Sequence, residues 1–219
     1  MLKNISHNNQ KKIALINDFT GFGRCSIAVE LPIISTLKVQ CCPLPTSIFS
    51  NHTGFDSYFF DDYTDRMERY VEEWKKLDLS FNGICSGFLG SARQISIVKD
   101  FIKEFKTDDT IVVVDPVMVA TSGAKLIGDD AIDTLKESLF PLAAVLTPNI
   151  PEAEVLSGMK IKSADDMITA AKWISETYHC EVLCKGGHQL NDANDLLYRD
   201  GGYRWFNGKR IHNSNTHGT

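Results

Sequence analysis

The sequence predicts an α/β fold, with a central, mostly parallel sheet and helices on both faces. Two observations carry this. Short apolar runs of strand length alternate with longer segments of helical periodicity, the pattern of consecutive βαβ units. In addition, Ile111-Val112-Val113-Val114 sets four β-branched residues in a row, which suits a parallel strand buried on both faces. The 219 residues are 43% hydrophobic and 23% charged, ordinary values for one globular domain, and no repeat, low-complexity stretch or linker divides them.

The elements follow in order. Residues 12–16 form a compact apolar run, the first strand, followed by Gly21 and Gly23. Residues 26–37 read as a helix with an apolar face. Residues 39–46 are a second strand, interrupted by Pro43 and Pro45. Residues 61–77 are strongly amphipathic; Tyr63, Met67, Tyr70, Val71 and Trp74 recur at helical spacing, and that stripe reads as core. A third strand, 83–86, ends at Gly87, and Ser91 caps a helix running to about Phe105. The strand at 110–115 is followed by a helix at 129–139, a strand at 143–146, a helix at 163–178 and a strand at 181–185. Residues 195–198 and 203–206 flank Asp200-Gly201-Gly202, a hairpin signal.

Composition excludes some partners. A formal net charge of −5 argues against non-specific binding to nucleic acid or anionic membrane, both of which reward a basic surface. No apolar run is long enough to span a bilayer. Residues 1–11 are polar and hold no apolar signal core, so they are expected to be a disordered lead-in and the protein cytoplasmic. The six cysteines, at 25, 41, 42, 85, 180 and 184, show no C-x-x-C spacing. Cys180, Cys184 and His188 could be imagined as a zinc site, but the apolar Val182-Leu183-Cys184 makes that thiol a small core residue instead.

In doubly wound folds ligands sit beyond the carboxyl ends of the strands, so the polar residues there come next. After the first strand stand Asn17, Asp18 and Gly21-Phe22-Gly23. The dinucleotide pattern G-x-G-x-x-G fails, because Ser26 stands where its third glycine would be. A glycine turn lets the backbone approach a small ligand, and Asp18 can accept a hydrogen bond from a ring hydroxyl or amino group. Asn51, His52 and Thr53 offer several hydrogen-bonding groups to a polar aromatic ligand, or are simply solvated. Asp115 closes the most apolar strand, where a carboxylate can approach a magnesium–nucleotide complex. The loop with Thr121, Ser122 and Gly123 can fold over a ligand. A turn or cap role explains both equally. Asn149 is expected to cap a helix entered by Pro151, with Glu152 in its first turn, a complete structural explanation; the functional one is that Asn149 and Glu152 help hold hydrated magnesium. Lys185-Gly186-Gly187-His188 places a point charge for phosphate beside glycines, although no P-loop pattern occurs anywhere.

Together these strings resemble one family. Asp115-Pro116-Val117-Met118 and Thr147-Pro148-Asn149-Ile150-Pro151-Glu152-Ala153-Glu154 are similar to segments of pyridoxal kinases and hydroxymethylpyrimidine kinases, in the ribokinase superfamily. Asn149 to Glu152 matches the superfamily's N-x-x-E magnesium motif, and Lys185-Gly186-Gly187-His188 the nucleotide-side K-G-G-H of the pyrimidine kinases. Phe49-Ser50-Asn51-His52-Thr53-Gly54 resembles the substrate loop of pyridoxal kinases, and Ser86-Gly87-Phe88-Leu89-Gly90-Ser91 also fits that branch.

The resemblance implies a ribokinase-like kinase domain over residues 12–219, ATP and Mg2+, often a monovalent cation such as K+, a small-molecule substrate and commonly a homodimer. By position, Asp18, Thr46, Ser47, His52, Thr53 and Phe88 would line the vitamin pocket. Asp115, Thr147, Asn149, Glu152 and Lys185 would face ATP, with Asp115, Asn149 and Glu152 on the metal and Lys185 across the nucleotide site. Asp18 stands where animal and enteric pyridoxal kinases carry serine, which bears on substrate preference. Gly218 and Thr219 would open the anion hole; the family's general base and last helices come after them, so the chain ending at Thr219 is expected to lack its C-terminal part and transfer phosphate poorly. The expected activity is phosphorylation of the 5′-hydroxymethyl group of pyridoxal, pyridoxine or pyridoxamine. The alternatives are a hydroxymethylpyrimidine (phosphate) kinase of thiamine synthesis and an inactive ligand-binding remnant. The Asn51-His52-Thr53-Gly54 loop tips the expectation toward vitamin B6.

Overall fold

The structure is a computed structural model and describes residues 10–119, 126–186 and 193–209. Six strands run parallel: β1 (Lys12–Phe22), β2 (Gln40–Asn51), β4 (Gly83–Ser86), β5 (Ile111–Val114), β6 (Val145–Leu146) and β7 (Glu181–Cys184). β3 (Phe60–Asp62) is antiparallel at one edge, and the hairpin of β8 (Asp195–Arg199) and β9 (Gly202–Phe206) is antiparallel at the other. The sheet order is β3-β2-β1-β4-β5-β6-β7-β8-β9. This is the mostly parallel α/β sheet the sequence predicts.

β1 buries Ala14, Leu15 and Ile16 completely. Successive strand residues point to opposite faces, so both faces are covered. The helices that flank the sheet are α1 (Ile27–Thr36), α2 (Thr64–Lys76), α3 (Ala92–Phe105), α4 (Asp129–Thr134), α5 (Ile150–Ser157) and α6 (Ala164–Tyr178). α3 buries Ile95, Val98, Phe101, Ile102 and Phe105, one helical stripe. Phe101 and Phe105 meet with ring centroids 4.6 Å apart, and Phe81 and Trp74 extend the aromatic cluster. Each fully buried large apolar side chain contributes about 1.5–3 kcal/mol. The α2 stripe is core as expected: Met67 and Val71 are buried, and Tyr63, Tyr70 and Trp74 pack on them.

Three local expectations are corrected. The helix expected from residue 61 starts at Thr64, because residues 60–62 pair with β2 and the Asp62 carboxylate accepts the Thr64 N–H at 2.8 Å. The helix expected over 129–139 is regular only to Thr134; Leu135–Leu139 continue as a wider π-turn and Phe140–Leu142 as a 3-10 turn, and Pro141 has no N–H to extend the ladder. The strand at 143–146 shortens to Val145–Leu146.

The largest correction concerns the first two strands, which run far past residues 16 and 46. Pro43 and Pro45 do not interrupt β2. The carbonyl of Pro43 accepts the Tyr70 hydroxyl at 3.0 Å, so that residue's ladder groups face away from β1, where a missing N–H costs no pairing. Beyond the point where β4 ends, β1 and β2 pair on alone through Phe22 and Asn51, and β3 joins them at Ser47–Phe49. The result is a three-stranded arm projecting from the carboxyl edge of the sheet. β1 also lies at the switch point of the topology, since the chain moves to β2 on one side and then to β4 on the other.

Candidate active site

The pairing of β1 with β2 changes register at the base of the arm. Asn17 pairs with Pro45, but Phe19 pairs with Ile48, so Thr46 and Ser47 together oppose Asp18. This is a β-bulge, a device that re-aims side chains and recurs beside active sites. It brings three of the expected acceptor-side residues together. Thr46 is fully buried and its hydroxyl donates to the Phe88 carbonyl at 2.9 Å, which brings in the fourth. The Ser47 hydroxyl is buried without a hydrogen-bond partner among the described residues. The two Asp18 oxygens accept from Ser26 Oγ at 2.6 Å and Thr20 Oγ1 at 3.1 Å. Burial pushes the Asp18 carboxyl above the usual carboxylate range, and those two hydrogen bonds offset part of the rise.

Asn17 fastens β1 to β4 across the switch point. Its side-chain oxygen accepts from the N–H groups of Asp18 and Phe88, each at 2.9 Å. Gly87 makes room for it: a Cβ there would stand 2.3 Å from Asn17 Nδ2. That Nδ2 donates to Glu30 Oε1 at 2.7 Å. Glu30 was missed by sequence reasoning, although a lone carboxylate within Ile27-Ala28-Val29-Glu30-Leu31 was a visible signal. Burial raises its pKa; the Asn17 hydrogen bond opposes this, and the charges of Asp115 and Asp18 raise it further while Lys185 lowers it. Glu30 therefore feels the nucleotide-side charges as well as Asp18.

His52 and Thr53 do not sit with this group. They lie at the far end of the arm, five or six residues beyond Ser47, roughly 17–20 Å along an extended strand. The His52 Nδ1 accepts the Gly54 N–H at 3.1 Å, and its ring packs on Phe55 with centroids 4.6 Å apart. Gly23, at φ +103, runs beneath that ring, where a Cβ would meet His52 Cδ2 at 2.2 Å. Thr53 is exposed.

The second set gathers along the carboxyl ends of β5, β6 and β7. The ladder continues past the strands: Asp115 N–H donates to the Ser86 carbonyl, Thr147 N–H to Val114, and Lys185 N–H to Pro148. Asp115, Thr147, Asn149 and Lys185 thus come to one edge. Lys185 is not across the site from Asp115, as expected, but pairs with it directly: its Nζ donates to both carboxylate oxygens, at 2.9 and 2.8 Å. The two opposite charges reach each other across the end of β6, which lies between β5 and β7, and attract at hydrogen-bonding distance. Burial works against the Lys185 ammonium, but the Asp115 carboxylate outweighs it and holds the lysine's pKa above its ordinary value.

Asn149 caps α5 in a full capping box: its side chain accepts the Glu152 N–H at 2.8 Å, and Glu152 accepts the Asn149 N–H at 2.8 Å. The other Glu152 oxygen accepts the Met118 N–H at 3.2 Å, and Asn149 Nδ2 donates to the Val119 carbonyl at 3.1 Å. Glu152 is only 2% exposed. Burial, and then the Asp115 charge, pushes its carboxyl up to about 7.

These oxygens fit a hydrated Mg2+. Each carboxylate keeps lone pairs beyond the bonds described, and Mg2+ prefers one or two carboxylates plus water and phosphate. Among the described residues no three His, Cys, Asp or Glu side chains converge as a protein cage. Cys180 and Cys184 are buried, and burial raises their thiols to about 11 and about 12. His188, Gly187, residues 121–123, Gly218 and Thr219 lie outside the described residues, as do residues 1–9 of the expected lead-in.

The sequence profile of the phosphomethylpyrimidine kinase family matches residues 30–219. The chain belongs to that family. The hydroxymethylpyrimidine/phosphomethylpyrimidine kinase of Bacillus subtilis is 40% identical over 144 residues, 65% of this chain and 52% of that protein. The chain thus spans about half the length of this curated relative. A Bacteroides thetaiotaomicron protein described as a phosphomethylpyrimidine kinase, solved with pyridoxal, superimposes with a TM-score of 0.81 at 33% identity, over 90% of this chain and 71% of that one. The ADP complex of Bacillus subtilis pyridoxal kinase superimposes with a TM-score of 0.83 at 28% identity, over 95% of this chain and 79% of that one. The fold is ribokinase-like, as expected, and a solved pyridoxal kinase is among its structural neighbours. The expectation that put vitamin B6 first is reversed: the family description and the 40% identical relative favour the pyrimidine.

Proposed function

We propose that this chain provides the acceptor and nucleotide sites of an ATP-dependent kinase that phosphorylates the hydroxymethyl group of hydroxymethylpyrimidine or its phosphate. One observation carries the reading: in a chain of this family, the bulge with Asp18, Thr46 and Ser47 lies at the switch point, one strand from the edge that holds Asp115 and Lys185. A small acceptor beside Ser47 and Phe88 would be held between arm and sheet, with its hydroxymethyl group toward the nucleotide edge. The acceptor oxygen forms a bond to the γ-phosphorus, the bond to the bridging oxygen breaks, and ADP leaves; the hydroxyl proton passes to a base. Such transfer depends on positioning and on neutralising charge. Lys185, released from Asp115, supplies a cation for the transferring group, and Gly218 and Thr219 would begin the backbone anion hole. Asp115 and Glu152 would hold Mg2+ through its waters, with Asn149 fixing Glu152; the ion would draw charge from the phosphates.

A second reading, pyridoxal as acceptor, is favoured by the pyridoxal-bound Bacteroides neighbour and by the Asn51-His52-Thr53-Gly54 loop. An ADP-release assay on the expressed protein, with hydroxymethylpyrimidine, its phosphate and pyridoxal in parallel, separates them. We expect the pyrimidines to be turned over with at least about tenfold higher kcat/KM, about 1.4 kcal/mol, the net scale of one hydrogen bond. The reverse ranking would establish the second reading, and no ADP with any acceptor would sink both.

A further inference from the structure

We propose that Asp18 is a positioning residue rather than a substrate contact, and that it locks Ser26 and the start of α1 in a strained conformation that shapes the acceptor side of the site. The inference rests on the acceptor-site reading above. Ser26 has φ 51 and ψ −132, a left-handed region that favours glycine and that other residues keep only when their surroundings hold them. It directly precedes α1, and its carbonyl accepts the N–H groups of Val29 and Glu30, so its backbone opens the helix. Serine in that position ordinarily turns its hydroxyl onto the first turn as a cap. Here it makes no such bond. The hydroxyl instead donates sideways to Asp18, at 2.6 Å, while the backbone of Ser26 bridges to Phe19.

Asp18 is suited to this task and poorly suited to a ligand. It is only 7% exposed, and each carboxylate oxygen already accepts a hydroxyl, from Ser26 and from Thr20. Its neighbour Asn17 makes a second tie to the same helix, one turn further on, through Glu30. Consecutive residues of β1 therefore grip α1 at two points, next to the bulge where Thr46 and Ser47 stand. Release of this grip would let the 23–26 segment relax and would widen the acceptor side while leaving the Asp115–Lys185 edge in place.

The test compares the intact protein with Asp18→Asn, Ser26→Gly and the double variant. The readouts are steady-state kinetics and amide hydrogen exchange over residues 24–30. Asparagine offers one acceptor oxygen where aspartate offers two, so Asp18→Asn should raise the acceptor KM about tenfold, leave the KM for ATP within about twofold and speed the exchange. Glycine adopts φ 51 without strain, so adding Ser26→Gly should bring both the acceptor KM and the exchange most of the way back. Ser26→Gly alone loses the hydroxyl but keeps φ 51 without strain, so it should raise the acceptor KM and the exchange less than Asp18→Asn does. A double variant no better than Asp18→Asn would overturn the proposal, and so would a raised acceptor KM with unchanged exchange, which would make Asp18 a direct contact. Exchange needs no turnover. If the parent shows no kinase activity, the functional reading fails, and restored or unrestored exchange in the double variant still supports or overturns the lock.

Discussion

Two helices of this molecule begin with the same device and use it differently. α5 opens with the capping box of Asn149 and Glu152, and α6 opens with that of Ser163 and Asp166; in both, the first side chain accepts an N–H three residues on and the acid accepts one in return. The electrostatic outcomes are opposite. Hydrogen bonds from the Lys162 N–H and from Ser163 hold the exposed Asp166 below the usual carboxylate range. Glu152 is buried beside Asp115, and burial with that neighbouring charge raises it to about 7. One box uses its acid to stabilise a helix start; the other stores an ionisable group where its charged form is disfavoured. A capping motif is thus no guide to function by itself. The strand ends that surround it decide, and for α5 these are the ends of β5, β6 and β7.

The comparison can be broken most sharply at Lys185. Lys185→Met removes the ammonium that pairs with Asp115 and should lower kcat/KM by roughly 10²–10³, the usual loss when one group stabilising transition-state charge is deleted. An ordinary KM and kcat in that variant would remove the nucleotide edge from the account. The pair is partly exposed, so the melting temperature should change little.

Next in size is a pH effect. The pKa of folded Glu152, about 7, lies above the ordinary 4.5, so its contribution to stability is fully present below about pH 4.5 and is lost as pH rises through about 7. The loss has an upper bound of about 3.5 kcal/mol, since each pKa unit is worth about 1.4 kcal/mol. Urea unfolding from pH 4.5 to 8 should show this decline in the parent and a flatter profile in Glu152→Gln. Parallel profiles would mean that Glu152 titrates normally. Asp166 has the reverse sign: its contribution is present above the ordinary value of 3.8 and fades only in stronger acid, so Asp166→Asn should leave the profile between pH 5 and 8 unchanged.

The smallest effects separate the two caps themselves. Ser163→Ala should cost about 1 kcal/mol of stability, as loss of a cap does, and leave turnover alone. Asn149→Ala should cost a similar amount by thermal melting and should also lower turnover, because Asn149 fixes Glu152 and reaches the Val119 carbonyl. Equal turnover in the two variants would erase the distinction between the boxes.

Much of the nucleotide edge was legible in the sequence. The β-branched run ending at Asp115, the spacing of Asn149, Pro151 and Glu152, and the lysine after a buried strand are all local signals, and the structure gathers them as their positions after parallel strands require. The acceptor side was less legible, because its making is long-range. The arm exists through pairing of residues about 30 apart; the bulge opposite Asp18 shows only in that register; and Pro43 and Pro45 read as breaks until Tyr70 reveals which way they face. His52 and Thr53 looked like neighbours of Asp18 because strand length was underestimated, and the longer arm carries them away. Glu30 is not legible because the apolar face of its helix says nothing of a single carboxylate, and only the Asn17 amide, which comes from another element, draws it to the strand ends.

The measurement that tests the central claim most directly is calorimetric titration of the intact protein with a non-hydrolysable ATP analogue and Mg2+, in the parent, Glu152→Gln and Asp166→Asn. The account predicts that Glu152→Gln binds the magnesium–nucleotide complex at least about tenfold more weakly, about 1.4 kcal/mol, while Asp166→Asn stays within about twofold. Equal affinity in all three proteins would show that the buried acid of α5 serves the helix alone, as its counterpart in α6 does, and would contradict the assignment of this edge to the nucleotide.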